Sequence, residues 1–165
     1  MLHTSFVATT LALAAPMLAA ACTDPGPEST GDDITDPQVP PRGTTDVQTW
    51  LAASYYQAWH CEAASHAGRA PSPHGESRIC NNDALHATAG GGAFPVGAAA
   101  VKEIFDGGKI RSYAVSRKVT EGAGGDRWYW YEGGPEKIYA NSEGAGNCTG
   151  CHLQAARDFV FTIVP

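Results

Sequence analysis

The sequence predicts an α+β protein in which an N-terminal helix packs on an antiparallel β-sheet. Between residues 46 and 66, apolar side chains recur at three- and four-residue steps, which is the period of one helix face. From Phe94 onward, apolar and polar residues alternate, and glycine-rich turns interrupt the alternation at 107–108 and 121–126. Such alternation is typical of strands joined in sequence. One helix followed by neighbouring strands, without a βαβ alternation, favours the α+β class.

The first 21 residues predict an export signal. They contain no Asp, Glu, Lys or Arg, and small residues precede Cys22, as at a signal-peptide cleavage site. The segment Leu18-Ala-Ala-Ala-Cys22 also resembles a bacterial lipobox. We therefore expect a lipoprotein in which Cys22 carries the lipid anchor, in the periplasm or on the outer face of a bacterial membrane. The alternative is ordinary cleavage that leaves Cys22 free or removed.

Residues 22–45 predict a disordered tether between this anchor and a folded domain at 46–165. The stretch from 23 to 45 holds five acidic residues, one basic residue and five prolines, a composition that cannot bury enough apolar surface to fold. The chain as a whole carries a formal net charge of −6. A nucleic-acid partner is therefore not expected, because nucleic acids attract basic surfaces.

The domain pattern places its elements in a definite order. Thr44 or Thr45 is a suitable N-cap for a helix that begins near Asp46 and ends at 66–68. A loop rich in Gly, Pro, Ser and Asn follows over 68–93, with a short strand near its middle. The predicted strands are Ser77–Cys80, 98–105, Ile110–Val119, Trp128–Tyr131 and Asp158–Val164.

The most specific motif is Cys148-Thr-Gly-Cys151-His152. Cys-x-x-Cys-His is the attachment signature of haem c. The two thiols add to the two vinyl groups, and the histidine that follows becomes the proximal ligand of the haem iron. A structural zinc site that also uses Cys61 and Cys80, and a redox-active pair of thiols, are the alternatives.

Two residue counts narrow the class of haem protein. The only methionines are Met1 and Met17, so signal cleavage leaves none and excludes a cytochrome with His/Met ligation.

Cys61 and Cys80 remain when lipid and haem take the other three cysteines. In an exported domain they are expected to form a disulfide.

Three blocks give the chain a resemblance to the cytochrome P460 family, which includes the β-sheet cytochromes c′. The first is the segment 94–103, which ends in Val-Lys-Glu, and the second is the aromatic run Trp128–Tyr131. The third is the haem motif followed by Arg157-Asp-Phe-Val-Phe-Thr162. The resemblance implies one haem held by Cys148 and Cys151, with His152 as the proximal ligand of the iron.

The resemblance also implies a role for Lys102, which could match the lysine that in P460 proper bonds covalently to the porphyrin edge. The alternative is a strand lysine that extends to solvent or pairs with a carboxylate. Family enzymes use a distal carboxylate as proton acceptor, and no acidic residue between Lys102 and Trp128 clearly matches it. Arg117 or Ser116 is expected near that position, and His74 is a further candidate for the distal side.

The function implied by the resemblance is binding, and in an enzyme also oxidation, of hydroxylamine or nitric oxide at an open haem iron. One alternative is a nitric oxide-binding or sensing protein without turnover. Another is an electron-transfer cytochrome with Lys or His as sixth ligand. A redox partner protein and a homodimer remain open as further partners.

Overall fold

The sheet is a single antiparallel meander. The computed structural model describes residues 30–88 and 91–165. Six strands pair in chain order, each with the next. They are β1 (His60–Cys61), β2 (Ser77–Asn81), β3 (Ala99–Asp106), β4 (Lys109–Lys118), β5 (Trp128–Gly133) and β6 (Ile138–Glu143). With the helices described next, this architecture confirms the predicted α+β class and its antiparallel sheet.

The helices are short. They are α1 (Thr44–Ala52), α2 (Asp83–His86) and α3 (Gly146–His152), with 3-10 turns at Tyr55–Ala58 and Gly125–Arg127. The prediction of a helix continuing to 66–68 is wrong, because Ser54 adopts a left-handed conformation (φ 60°) that ends it. The aromatic residues that continue the helical spacing instead reach the core through the first 3-10 turn. Trp50, Tyr56 and Trp59 belong to one buried cluster.

The alternation of side chains along each strand separates two buried clusters. The first contains Val101, Val115, Tyr129 and Tyr131 of the sheet, and the buried side chains of α1 belong to it. The second lies on the other face of the sheet and contains Trp128 and Trp130 of β5 and Ala140 of β6, and Ala100, Cys148 and Phe159 pack against it.

Residues 32–43, predicted as part of a disordered tether, instead contact the domain. Asp32 pairs with Arg42 and Arg117 at 3.0 and 2.8 Å. The indole nitrogens of Trp50 and Trp59 donate to backbone carbonyls of this segment at 2.7 and 2.9 Å. Its proline-rich backbone offers carbonyls to buried donors, so the packed part of the chain begins before residue 46. The predicted signal peptide and Cys22 lie outside the described residues.

Two further strand predictions need correction. Asp158–Val164 is not a strand, since Asp158 and Phe159 have positive φ values of 36° and 66° and turn the chain back at an isolated bridge between Arg157 and Val160. β6 was not predicted, because Ala140 is its single buried residue. None of the helices in the described part of the chain is long and apolar enough to cross a membrane.

Candidate functional site

The second face of the sheet carries a cavity of about 200 Å³. That is more room than the roughly 150 Å³ that admits a benzene-sized ring. A smaller hollow adjoins it and shares much of its wall. Three parts of the chain that are distant in sequence meet there: the strands, the loop at 66–74 and the C-terminal segment with α3. The residues central to the site are His74, Ile79, Lys102, Ala114, Glu132, Cys148, Cys151, His152 and Phe161.

α3 holds the Cys-x-x-Cys-His motif at the wall of this cavity. Gly144, with φ +63°, makes the turn from β6 into α3, and a Cβ there would lie 3.3 Å from the Cα of Asp126. The side-chain amide of Asn147 donates to the backbone oxygen of Tyr139 at 3.0 Å and so fixes α3 to β6. Residues three and four apart share a helix face, so Cys148, Cys151 and His152 all reach the cavity.

The two thiols of the motif are free, and Cys148 is half-buried. Burial raises the pKa of its thiol to about 11, and the charge of Glu132 acts in the same direction. A thiol with that pKa is protonated at neutral pH and is a poor redox nucleophile. This disfavours the alternative of a thioredoxin-like dithiol.

His152 is held in one orientation. Its Nδ1 lies 2.7 Å from the backbone oxygen of Phe159. A carbonyl only accepts hydrogen bonds, so Nδ1 carries the proton and Nε2 keeps a free lone pair. The Trp130 ring packs against the imidazole with ring centroids 4.7 Å apart. Burial lowers the pKa of His152, which favours the neutral imidazole that can act as a metal ligand.

Polar groups from β3, β5 and the loop also face the cavity. Lys102 lies on β3, and burial lowers the pKa of its amine. Glu132 lies on β5, and its Oε1 is 3.4 Å from Nδ1 of His74. The hydrogen bond with His74 is the main reason that the pKa of Glu132 is lowered, so this carboxylate is ionised at neutral pH. The structure thus places Lys102 and His74, which were predicted separately, at the same cavity.

Glu132 is the site residue that the sequence reasoning missed. That reasoning considered only acidic residues between Lys102 and Trp128, whereas Glu132 lies beyond them, at the end of the aromatic strand. It is two positions after Trp130, which also contacts this face. The alternation of β5 was therefore the signal that could have placed Glu132 on the cavity side.

Arg117 does not reach the cavity, and its assignment to the distal side is wrong. Its guanidinium donates to Asp32 at 2.8 Å and to the backbone oxygen of Pro40 at 3.0 Å. Adjacent residues of a strand point to opposite faces. Ser116, the neighbour of Arg117 on β4, accordingly lines the smaller hollow.

The predicted disulfide between Cys61 and Cys80 is confirmed. The two cysteines are directly opposite each other on β1 and β2. The chain that they close into a loop includes His66, Arg69 and His74 of the cavity wall. The carboxylate of Glu62 stabilises this loop, because it lies 2.6 Å from Arg69 and 2.9 Å from His66.

The prediction that the chain binds a metal is wrong for a metal ion that is held by side chains alone. Within 30–88 and 91–165, no three His, Cys, Asp or Glu side chains form a group that could hold such an ion. The Cys-x-x-Cys-His motif therefore does not form a metal centre with neighbouring side chains. The zinc alternative is wrong for the same reason, and the disulfide also removes Cys61 and Cys80 as ligands.

Comparison of the chain with protein-family models and with curated proteins finds no match. Membership of a family therefore remains a hypothesis that depends on the sequence blocks and on the geometry of the cavity.

Proposed function

We propose that the chain is an exported c-type haem protein, similar to cytochrome P460, that binds and oxidises small nitrogen compounds such as hydroxylamine and nitric oxide. The observation that carries the proposal is the position of Cys148, Cys151 and His152 on one wall of the cavity. The porphyrin supplies ligands to a haem iron, so the protein needs to provide only an axial side chain. The absence of a three-residue metal cluster therefore does not bear on this proposal.

The donor set fits a haem. Cys148 and Cys151 offer two free thiols for thioether bonds, and His152 presents a free Nε2 because its Nδ1 donates to Phe159. Small side chains of the sheet, Ala100 and Ala114, line the hollows beside them. We also propose, as the sequence predicts, that α1 packs on the opposite face of the sheet.

The bound haem would supply an iron that coordinates the nitrogen ligand and accepts its electrons. The chain's own contribution is proton transfer. Oxidation of hydroxylamine releases protons, and the ionised Glu132 carboxylate can accept one at Oε1. Nδ1 of His74, 3.4 Å away, donates to this carboxylate and holds it in place. Glu132 is thus our candidate for the distal carboxylate that the sequence reasoning did not find.

Haem attachment is tested by denaturing electrophoresis with haem staining and by intact mass. The full chain, exported in a host with haem c attachment enzymes, should stain and gain the mass of one haem. The variant C148A/C151A should do neither. An unstained wild-type band would refute the proposal.

The oxidation is tested by turnover of hydroxylamine with an artificial electron acceptor. We expect E132Q to lose at least about 100-fold in kcat, within the range for a general base, while nitric oxide still binds. A matched control is E143Q, which removes a carboxylate that pairs with Arg42 instead. If wild type binds nitric oxide without turnover, the function is binding or sensing.

An electron-transfer cytochrome is the second candidate, because Lys102 and His74 both face the cavity and either could be a sixth ligand. A six-coordinate ferric spectrum that becomes high-spin in K102M or H74A would favour it. Rapid nitric oxide binding to a high-spin wild type would exclude it.

A bond between Lys102 and the porphyrin edge is part of the proposal. Replacing one N–H and one C–H by an N–C bond removes two hydrogen atoms, so this step requires a two-electron oxidant such as a peroxide. Mass spectrometry after proteolysis should then find porphyrin on two peptides, one of which contains Lys102. Porphyrin on the Cys148–Cys151 peptide alone would rule out the cross-link.

We propose export and lipid anchoring as the location. The Cys61–Cys80 disulfide supports it, since such bonds persist in oxidising compartments. Globomycin should block maturation if Cys22 is lipidated, and intact mass after membrane extraction should include a diacylglyceryl group. Signal cleavage unaffected by globomycin would leave export without the anchor.

A further inference from the structure

A buried ion pair lies behind the C-terminal segment and takes no part in the proposed chemistry. Nζ of Lys118 lies 2.8 and 3.1 Å from the carboxylate oxygens of Asp158. The side chains are 0% and 2% exposed. Such a pair is weak evidence of stabilisation, because burying both charges is costly. We therefore looked for a role of this ion pair other than stabilisation.

The Asp158 carboxylate fixes a strained turn. Besides Lys118, it accepts from the backbone N–H of Phe94 at 2.8 Å and from the indole of Trp128 at 3.4 Å. Asp158 and Phe159 both have positive φ values, a backbone conformation that is unfavourable for residues other than glycine. Three donor groups, which make four hydrogen bonds to one carboxylate, hold the backbone in this conformation.

The neighbouring Arg157 fixes the same turn from the other side. Its guanidinium donates to the backbone oxygens of Gly92 and Gly91 at 2.7 and 3.0 Å, and to that of Thr88. It also stacks 3.9 Å from the centroid of the Phe94 ring. The turn is thus attached to the loop before β3 as well as to β4 and β5.

This turn sets the direction of one backbone carbonyl, that of Phe159. The oxygen of Phe159, the residue after Asp158, is the acceptor for Nδ1 of His152 at 2.7 Å. We infer that Lys118 and Asp158 are positioning residues, whose ion pair holds the Phe159 carbonyl so that His152 keeps its proton on Nδ1 and presents Nε2 to the cavity. The link to a haem iron depends on the function proposed above, but the orientation of His152 does not.

The tautomer of His152 can be read in the full chain produced without a haem source. Long-range proton–nitrogen NMR on ¹⁵N-histidine-labelled protein separates the two ring nitrogens, and H152Q assigns the signal. Wild type should carry the proton on Nδ1. In D158N the ratio of tautomers should move about fivefold toward Nε2–H, the effect of weakening one typical hydrogen bond. K118M should move it in the same direction.

E103Q is the matched control. Glu103 is also 2% exposed and pairs with Arg78, and its carboxylate accepts from Tyr56, on the α1 side of the sheet. It should change stability without changing the His152 tautomer. A folded D158N with the wild-type tautomer would overturn the inference. The inference would also be overturned if the wild-type protein carried the proton on Nε2. This measurement does not depend on whether a variant folds.

The haem-loaded chain provides a second readout. In the ferrous form, the iron–histidine stretching band should shift to lower frequency in D158N, because a weaker Nδ1 hydrogen bond leaves the imidazole less basic. A tautomer shift in a chain that takes up no haem would support the positioning role and refute the proposed function. An unshifted band in loaded D158N would contradict the positioning role.

Discussion

Removing the Cys61–Cys80 disulfide, as in C61A/C80A, is expected to lower the free energy of unfolding by about 3 kcal/mol. The bond joins residues 19 positions apart, and the chain-entropy relation for such a loop gives about 11 cal/mol/K. With a urea m-value of about 2 kcal/mol/M, the midpoint of unfolding should fall by about 1.5 M.

The assay is urea unfolding followed by tryptophan fluorescence and far-ultraviolet circular dichroism. The two probes should coincide if unfolding is two-state. Reduced wild type should approach the variant, whereas dithiothreitol should leave C61A/C80A unchanged. A wild-type midpoint that moves by less than about 0.3 M on complete reduction would refute the reasoning, because the entropy of a 19-residue loop does not depend on which side chains flank it.

Three other changes test the packing and the charges of the domain. K118M should cost about 3–5 kcal/mol in urea unfolding, because it leaves the buried Asp158 carboxylate without its cation; a loss under about 1 kcal/mol would contradict this. N82A should cost about 3 kcal/mol, because the Asn82 side chain makes four hydrogen bonds, and an unchanged midpoint would count against it. Burial alone would raise the pKa of Asp32, but hydrogen bonds from Arg42 outweigh it and hold that pKa well below its usual range. The stabilisation from Asp32 is therefore present above pH 4 and is lost as the pH falls below it, so the melting temperature of D32N should depend less on pH between 5 and 2 than that of wild type; equal slopes would refute this.

The sheet could be predicted where burial alternates along a strand. β3, β4 and β5 lie close to their predicted bounds, because one face of each strand packs in a cluster while the other faces the cavity or a second cluster. β6 has a single buried residue and carries no such pattern. The helix beyond Ala52 was overpredicted, because aromatic residues at helical spacing also fit a 3-10 turn that folds onto the same core.

The site was predicted in part for similar reasons. Lys102, His74 and the motif residues do line one cavity, since strand alternation and the motif spacing are local properties. Which partner a charged residue takes is a property of tertiary structure. Asp32 holds Arg117 on the opposite face, and Glu132 meets His74 across 58 positions of the chain. No local pattern encodes either pairing.

The path of residues 32–43 has a consequence for access to the cavity. Asp32 pairs with Arg117, and the backbone oxygen of Pro37 accepts from Trp59, both on the face of the sheet opposite the cavity. Residues 32–43 thus lie behind the sheet, whereas the cavity lies in front of it. A small molecule that enters the cavity beside His74 and Glu132 would therefore not meet residues 32–43.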